Sequence, residues 1–272
     1  MFLFFIFALG LFVGSFLNVL VDRLPKGESV IKGRSHCEKC KKILKWNDLI
    51  PLLSFVFLKG KCRYCSARLS PYYPIVEFTT GIMFVITTLF IFNGSQFLIS
   101  NFKFLINFQL LITNYQLLLT LIYYLFIISS LIVIFFADLK YGIIPDKIVF
   151  PAILVSFFFL LFTVFVNHLL SAFGAGLFFL LLFLVTRGRG MGFGDVKFSF
   201  LMGLILGFPN IIVALYVAFL TGATVGIILI IWRKKRIFGT AIPFGPFLVL
   251  GNFIAIFFGK SIFHLSSLIF HF

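Results

Sequence analysis

The chain has 272 residues, of which 61% are hydrophobic and 43 are phenylalanine, with a mean hydropathy of +1.16. A soluble domain of this length has no use for so much apolar surface, whereas a polytopic membrane protein has. The net charge of +15 raises nucleic acid as a partner, but the placement of the charges argues against it.

Eight apolar runs follow along the chain, at about residues 2–20, 75–93, 118–137, 148–166, 169–186, 195–208, 211–232 and 243–259. The first lacks a basic n-region and precedes a strongly basic segment, the pattern of an uncleaved anchor with its N-terminus outside. Residues 21–74 form a soluble insert too small to bury much of a core without a staple. In 94–117, Asn and Gln are scattered through Phe and Leu. That stretch suits an interfacial helix, part of a longer third span, or a loop. The sixth and seventh runs meet at Gly207-Phe208-Pro209-Asn210, a tight turn. Gly203/Gly207 and Gly222/Gly226 have the spacing of close helix packing. Pro243 and Pro246 are expected to break or kink the last span. The expected fold is an all-α polytopic membrane protein of about eight transmembrane helices. Helix 1 covers 1–20, a small cytoplasmic insert 21–74, and the remaining membrane core 75–272.

With the N-terminus outside, 21 of the 23 Lys and Arg fall inside: twelve in 21–74, then Lys140 and Lys147, then Arg187, Arg189 and Lys197, then Arg233 to Arg236. Only Lys103 and Lys260 fall outside. The positive-inside rule supports eight spans in this orientation. The basic charge then marks cytoplasmic loops beside anionic lipid, so lipid is the expected partner and nucleic acid is not.

All four cysteines lie in the insert, as Cys37-x-x-Cys40 and Cys62-x-x-Cys65 with 21 residues between the pairs. Two such knuckles can present four thiolates tetrahedrally to Zn²⁺, as a structural site with no open position. A cytoplasmic compartment disfavours disulfides, and Lys39, Lys41, Lys42 and Arg63 favour thiolates. Reduced free cysteines or a redox pair are the alternatives. His36 neighbours Cys37, but four cysteines already complete a site. His168, His264 and His271 are scattered.

There are eight Asp and Glu. Asp22, Glu28, Glu38 and Asp48 lie in the basic insert, as solvated surface or salt-bridge partners. Glu77 begins the second span. Asp138 ends the third, in FFADLKYGIIPDK, and Asp195 begins the sixth, in GMGFGDVKF. An ionisable residue at a membrane span is a functional candidate by default. Two carboxylates at one depth on different helices cannot both ionise easily if they meet. One then serves as base toward water and the other as acid toward a scissile carbonyl. Gly190, Gly192 and Gly194 lack Cβ, so a hinge there can take unusual backbone angles and approach a substrate strand. The alternative makes Asp195 a helix N-cap, Asp138 a membrane-edge anchor with Lys140, and Lys197 a lipid-facing cation. Asp146, a turn or helix-start residue, competes with Asp138 as the partner of Asp195.

At these residues the chain resembles the type IV prepilin peptidases, integral-membrane aspartic proteases of the GxGD type. The resemblance runs in order through GSFLNVLVDRLP (14–25), the paired CxxC insert, LSPYYPIVEFTTG (69–81), ADLKYGIIPD (137–146), GMGFGDVKF (190–198) and AIPFGPFLVLG (241–251). It implies that Asp138 and Asp195 are the catalytic dyad and that Cys37, Cys40, Cys62 and Cys65 bind zinc. It implies cleavage of type IV prepilins or pseudopilins of a secretion or DNA-uptake system, after a leader glycine, at the cytoplasmic face of the bacterial inner membrane. Many family members also N-methylate the new N-terminus with S-adenosylmethionine. No soluble methyltransferase fold is present here. Glu77 is a candidate for holding the substrate amine in that step, and its bland reading is a partner for Arg68 or another base of the insert. A peptidase without methylation is one rival. A transporter or assembly scaffold with a zinc docking module is another, although midplane ionisable groups and repeated halves, which transporters use, are not seen.

Overall fold

The computed structural model describes residues 1–30, 33–93, 115–161, 165–188, 190–232 and 243–270. They form two compact units, 1–133 and 134–272. Among the described residues all regular elements are helical, apart from two isolated β-bridges. Lys32, residues 94–114 with Lys103, Arg189, Arg233 to Arg236 and His271 lie outside the described residues.

The first unit contains α1 (Phe2–Arg23), the short α2 (Leu53–Phe57), α3 (Tyr72–Asn93) and most of α4 (Tyr115–Tyr141). α1 and α3 pack with their backbones nearly touching. A Cβ on Gly10 would stand 2.7 Å from the Gly81 Cα, and one on Gly14 would stand 2.7 Å from the Glu77 Cα. Gly10 and Gly14 have the small-residue spacing that permits this. The outer face of α1 shows Phe4, Phe5, Phe12 and Phe16, all exposed, which suits lipid rather than water.

The second unit takes the end of α4 and adds α5 (Asp146–Leu161), α6 (Phe165–Val185), α7 (Phe193–Leu206), α8 (Asn210–Trp232) and α9 (Gly245–Phe270). Among the described residues six helices are long and apolar enough to cross a membrane: α1, α3, α4, α6, α8 and α9. Among the described residues each of the eight expected apolar runs contains a helix, but α5 and α7 have only 16 and 14 residues, short of the ~20 a bilayer asks for. α7 is instead the central helix of its unit, in contact with α5, α6, α8 and α9. It is buried almost all round, as a helix without a polar face must be.

Three expectations need correction. The polar pair Asn167-His168 reads as the break between the fourth and fifth runs, yet both residues lie in the first turn of α6. Their polarity serves a tertiary contact: Asn167 exchanges two hydrogen bonds with the Phe208 backbone, at 3.0 and 3.2 Å, and the His168 Nδ1 lies 2.8 Å from the Leu204 carbonyl. The glycine pairs do different jobs. Gly203 lets α7 touch the Ala172 backbone of α6. Gly207 ends α7 with φ +64°, a left-handed turn suited to glycine. Gly222 meets the Phe244 ring, and Gly226 faces nothing within 4 Å. Finally, Pro246 does not kink the last helix but occupies its first turn, where a missing N–H costs nothing. The expected turn at Gly207–Asn210 is present.

Candidate functional site

Asp138 sits in the last turn of α4. The helix stops at Tyr141 because Gly142 turns left-handed (φ +65°), its N–H closing on the Asp138 carbonyl at 2.8 Å. This places the Asp138 side chain, 5% exposed, against the start of α9. There the Gly245 N–H donates to Oδ2 at 2.9 Å. A Cβ on Gly245 would stand 2.5 Å from that oxygen, so the close approach needs glycine.

Asp195 is the third residue of α7 and is 7% exposed. It is not the N-cap: Gly192 holds that position, and the Asp195 Oδ2 reaches back to accept the Gly192 N–H at 3.1 Å. A carboxylate in a helix's first turn also complements the helix dipole. Asp138 and Asp195 lie near enough for the charge of one to act on the other. Two carboxylates from separate helices thus share a buried site, each held through Oδ2 by a glycine N–H.

Asp146 does not join them. It begins α5, and both its oxygens lie 2.8 Å from the Lys197 Nζ. Lys197 also lies over the rings of Phe150 and Phe193, so it clamps α7 to α5 rather than pointing at lipid alone. The glycine stretch departs from the expected unusual angles. Gly192 has φ −78° and Gly194 is already helical, whereas the left-handed residues are Arg187 and Gly188, at φ 50° and 69°. What glycine provides at 194 is closeness, since a Cβ there would stand 3.1 Å from the Ile144 Cβ.

In the first unit, the four cysteine sulfurs lie within 4.8 Å of one another. Two matching hairpin knuckles bring them together. In each, the first cysteine N–H donates to the carbonyl five residues on, at 3.0 Å from Cys37 to Lys42 and 2.8 Å from Cys62 to Ala67. The fourth residue on, Lys41 or Ser66, turns left-handed with φ 55°. Zn–S bonds of about 2.3 Å in a tetrahedron put sulfurs about 3.8 Å apart, and the Cys37 and Cys65 sulfurs are 3.8 Å apart. The donor set therefore fits Zn²⁺. Around Cys65 the Ala67 N–H lowers the thiol pKa, but desolvation and hydrogen bonds with the other three thiols outweigh it and push it up to about 11. Metal binding must therefore displace protons. His36 turns elsewhere, with Nδ1 3.4 Å from the Arg34 carbonyl. Asp48 braces the second knuckle through Arg63 at 2.7 Å and the Tyr64 hydroxyl at 3.2 Å.

Among the described residues Glu77, 8% exposed, forms no ion pair with Arg68 or another base. Its Oε2 accepts the Leu52 N–H at 2.8 Å, tying the insert to α3. Leu52 has φ 57°, so this bond holds a strained turn. Sequence reasoning missed Gly245 as a site residue, although a glycine between prolines in IPFGPF was the available signal. It also passed over Asn18, whose Nδ2 donates to the Tyr73 carbonyl at 3.1 Å; a lone Asn in an apolar span was the signal there.

Two family models match the chain. The Bacterial Peptidase A24 N-terminal domain covers residues 8–91, and the Type IV leader peptidase family covers residues 125–227. The chain is 30% identical to the prepilin leader peptidase/N-methyltransferase of Bacillus subtilis, over 94% of each protein. It is 29% identical to the protein of that name from Aeromonas salmonicida, over 94% of this chain and 91% of the relative. It is 31% identical to that from Myxococcus xanthus, over 84% of this chain and 63% of the relative. No solved structure matches it. With the Bacillus and Aeromonas relatives matched over more than nine-tenths of their length and both family models in order, the chain belongs to the type IV leader peptidase family.

Proposed function

We propose that the protein is an aspartic endopeptidase of the bacterial inner membrane that removes the leader of type IV prepilins or pseudopilins and then N-methylates the new N-terminal residue. The observation that carries the reading is the buried pair Asp138 and Asp195, drawn from separate helices and each fixed by a glycine N–H. The relatives named prepilin leader peptidase/N-methyltransferase supply the substrate class.

Each aspartate is held through Oδ2, which leaves Oδ1 for water and substrate. One carboxylate takes a proton from the water as it attacks the scissile carbonyl, and the other, protonated, gives a proton to the carbonyl oxygen. When the tetrahedral adduct collapses, the leaving amine takes a proton back. Gly190, Gly192 and Gly194 form the edge a substrate strand would lie along, and the Lys197–Asp146 clamp holds this edge to α5. With the N-terminus outside, the site faces the cytoplasm. The basic leader stays in water, and the prepilin's apolar helix stays in lipid.

Cys37, Cys40, Cys62 and Cys65 would hold a structural Zn²⁺, because four thiolates leave no position for substrate. S-adenosylmethionine would supply an electrophilic methyl group to the amine that cleavage frees. Glu77, in the second turn of α3 and bonded to Leu52 of the insert, is the residue to hold that amine.

The test is expression in membranes with a prepilin, followed by mass measurement of the product, beside Asp138→Asn and Asp195→Asn. The wild type should yield a product lacking the leader and one methylene heavier, and both variants should leave the prepilin intact. Normal cleavage by either variant would remove the dyad assignment. Cleavage without the added methylene would leave a peptidase alone.

A further inference from the structure

The loop between the two cysteine knuckles carries apolar side chains that the insert leaves uncovered. A 3₁₀ turn, Trp46–Asp48, leads into α2, and the two touch. Trp46 is 75% exposed, Leu53 54%, Val56 68% and Phe57 80%. Leu53, Val56 and Phe57 stand at i, i+3 and i+4, so they share one face of α2. Phe55 points elsewhere and packs its ring against Gly60. A cluster of exposed large apolar groups on so small an insert marks a contact surface.

The depth of that surface is set by a hydrogen bond. The Leu52 N–H, just before α2, donates to the Glu77 Oε2 at 2.8 Å. Glu77 is the sixth residue of α3, about 7.5 Å along the helix from Tyr72 at 1.5 Å per residue. The spanning part of α3 has 21 residues, so it is about 31 Å long and matches the ~30 Å hydrocarbon core of a bilayer. The start of α2 is therefore level with the second turn of a membrane span. Interfacial helices bury their apolar face at this level, about 5–10 Å into the boundary between headgroups and acyl chains.

The charges around the loop complement lipid. Lys45 precedes it and Lys59 and Lys61 follow it, all exposed. From residue 34 to residue 68, nine Lys and Arg stand against Glu38 and Asp48, and Asp48 is paired with Arg63 at 2.7 Å. Cations bracketing an apolar face suit an anionic bilayer surface. Tryptophan suits the same boundary, because its ring is apolar and its N–H is polar.

We infer that residues 46–57 form an interfacial anchor. It lays Trp46, Leu53, Val56 and Phe57 into the headgroup boundary of an anionic bilayer, and Lys45, Lys59 and Lys61 meet the lipid phosphates. The anchor joins the Cys37–Cys40 knuckle to the Cys62–Cys65 knuckle, so the sulfur cluster closes a loop whose far end lipid holds. The insert is then fixed to α3 by Glu77 and to the bilayer by its own apolar face. The inference needs α3 to span the membrane and is independent of the peptidase and methylation readings.

The test uses the full-length protein in lipid nanodiscs. The chain has two tryptophans, and Trp232→Phe leaves Trp46 as the single emitter. In nanodiscs containing phosphatidylglycerol, Trp46 should be quenched by lipid brominated near the headgroup end of its acyl chains and shielded from acrylamide in the water. Val56→Ser with Phe57→Ser should reverse both results, since losing two buried apolar side chains shifts docking toward water by on the order of 100-fold. Its melting temperature in detergent should stay that of the wild type, because both side chains are already exposed in the protein alone. Replacing phosphatidylglycerol by phosphatidylcholine, or Lys45, Lys59 and Lys61 by Gln together, should raise acrylamide access. Free acrylamide access in anionic nanodiscs, or emission unchanged by the brominated lipid, would overturn the inference. Equal shielding in neutral and anionic nanodiscs would remove anionic lipid as the occupant. Shielding that appears only when a prepilin is added would assign the face to the substrate instead.

Discussion

Replacing Gly245 by alanine drives a methyl group into the Asp138 carboxylate. The added Cβ would stand 2.5 Å from Oδ2, 3.0 Å from Cγ and 3.2 Å from the Asp138 Cβ. Ordinary contact begins at 3.4 Å, so the carboxylate or the start of α9 must retreat by about 0.9 Å, the difference between 3.4 and 2.5. That retreat also stretches the 2.9 Å bond from the Gly245 N–H. A hydrogen bond to a charged group is worth about 1.5–3 kcal/mol, and a misplacement of about 1 Å at a reacting centre costs on the order of 100-fold in rate. Both figures point to leader cleavage slowed by about 100-fold, expressed in kcat rather than KM, because the carboxylate acts in the transition state.

The matched control is Gly226→Ala. Gly226 is also a helical glycine, but a Cβ there meets nothing within 4 Å, and alanine favours the helix by up to about 1 kcal/mol. It should cleave at the wild-type rate. Initial rates at saturating prepilin, followed by the mobility shift of the processed product, separate the two, with melting temperatures as a check on folding. Wild-type kcat in Gly245→Ala, alongside an inactive Asp138→Asn, would refute the idea that glycine is needed to seat this carboxylate.

Other perturbations have equally definite outcomes. Gly203→Ala forces a Cβ into the Ala172 backbone, and overpacking of this kind costs about 1–3 kcal/mol. It should lower the melting temperature, whereas Gly174→Ala, with open space around it, should not. Zn²⁺ should bind one per chain, with an affinity that rises with pH, because the metal must displace the proton held on Cys65, whose thiol sits at about 11. Titration in buffers of different ionisation enthalpy would report those protons, and a pH-independent affinity would rule out the thiolate site. Glu77→Leu strands the Leu52 N–H, at about 1–3 kcal/mol, and should speed loss of zinc to a chelator. Glu77→Gln keeps an acceptor and should restore slow release, and equal rates for the two would show that the bond to Leu52 does not hold the insert.

The sequence made the local rules visible and hid most of the tertiary ones. Apolar runs, CxxC spacing and a carboxylate beside glycines each follow from a few neighbouring residues, so the helices, the sulfur cluster and the two aspartates could be read directly. Asp195 misled in its detail because an acidic residue at a helix start suits N-cap and third position alike, and only the Gly192 N–H distance separates them. Asn167 and His168 misled because a polar pair between apolar runs looks the same whether it forms a loop or reaches a neighbouring helix. The Gly10–Gly14 pair carried a legible packing signal, but nothing in the spacing named Gly81 as its partner 67 residues beyond Gly14.

Gly245 shows the limit most clearly. Its contribution is a backbone N–H aimed at a side chain 107 residues away, and an N–H leaves no mark on residue identity. Only the absent Cβ does, because any other residue there collides with Asp138. At Gly192 an N–H again holds a carboxylate through Oδ2, but a Cβ there would meet that oxygen at an ordinary 3.6 Å. The two aspartates therefore rest on backbone donors that side-chain substitutions cannot delete directly. At Gly245 added bulk acts by moving the donor, which makes it, rather than lost polarity, the sharper probe of the Asp138 side of this site.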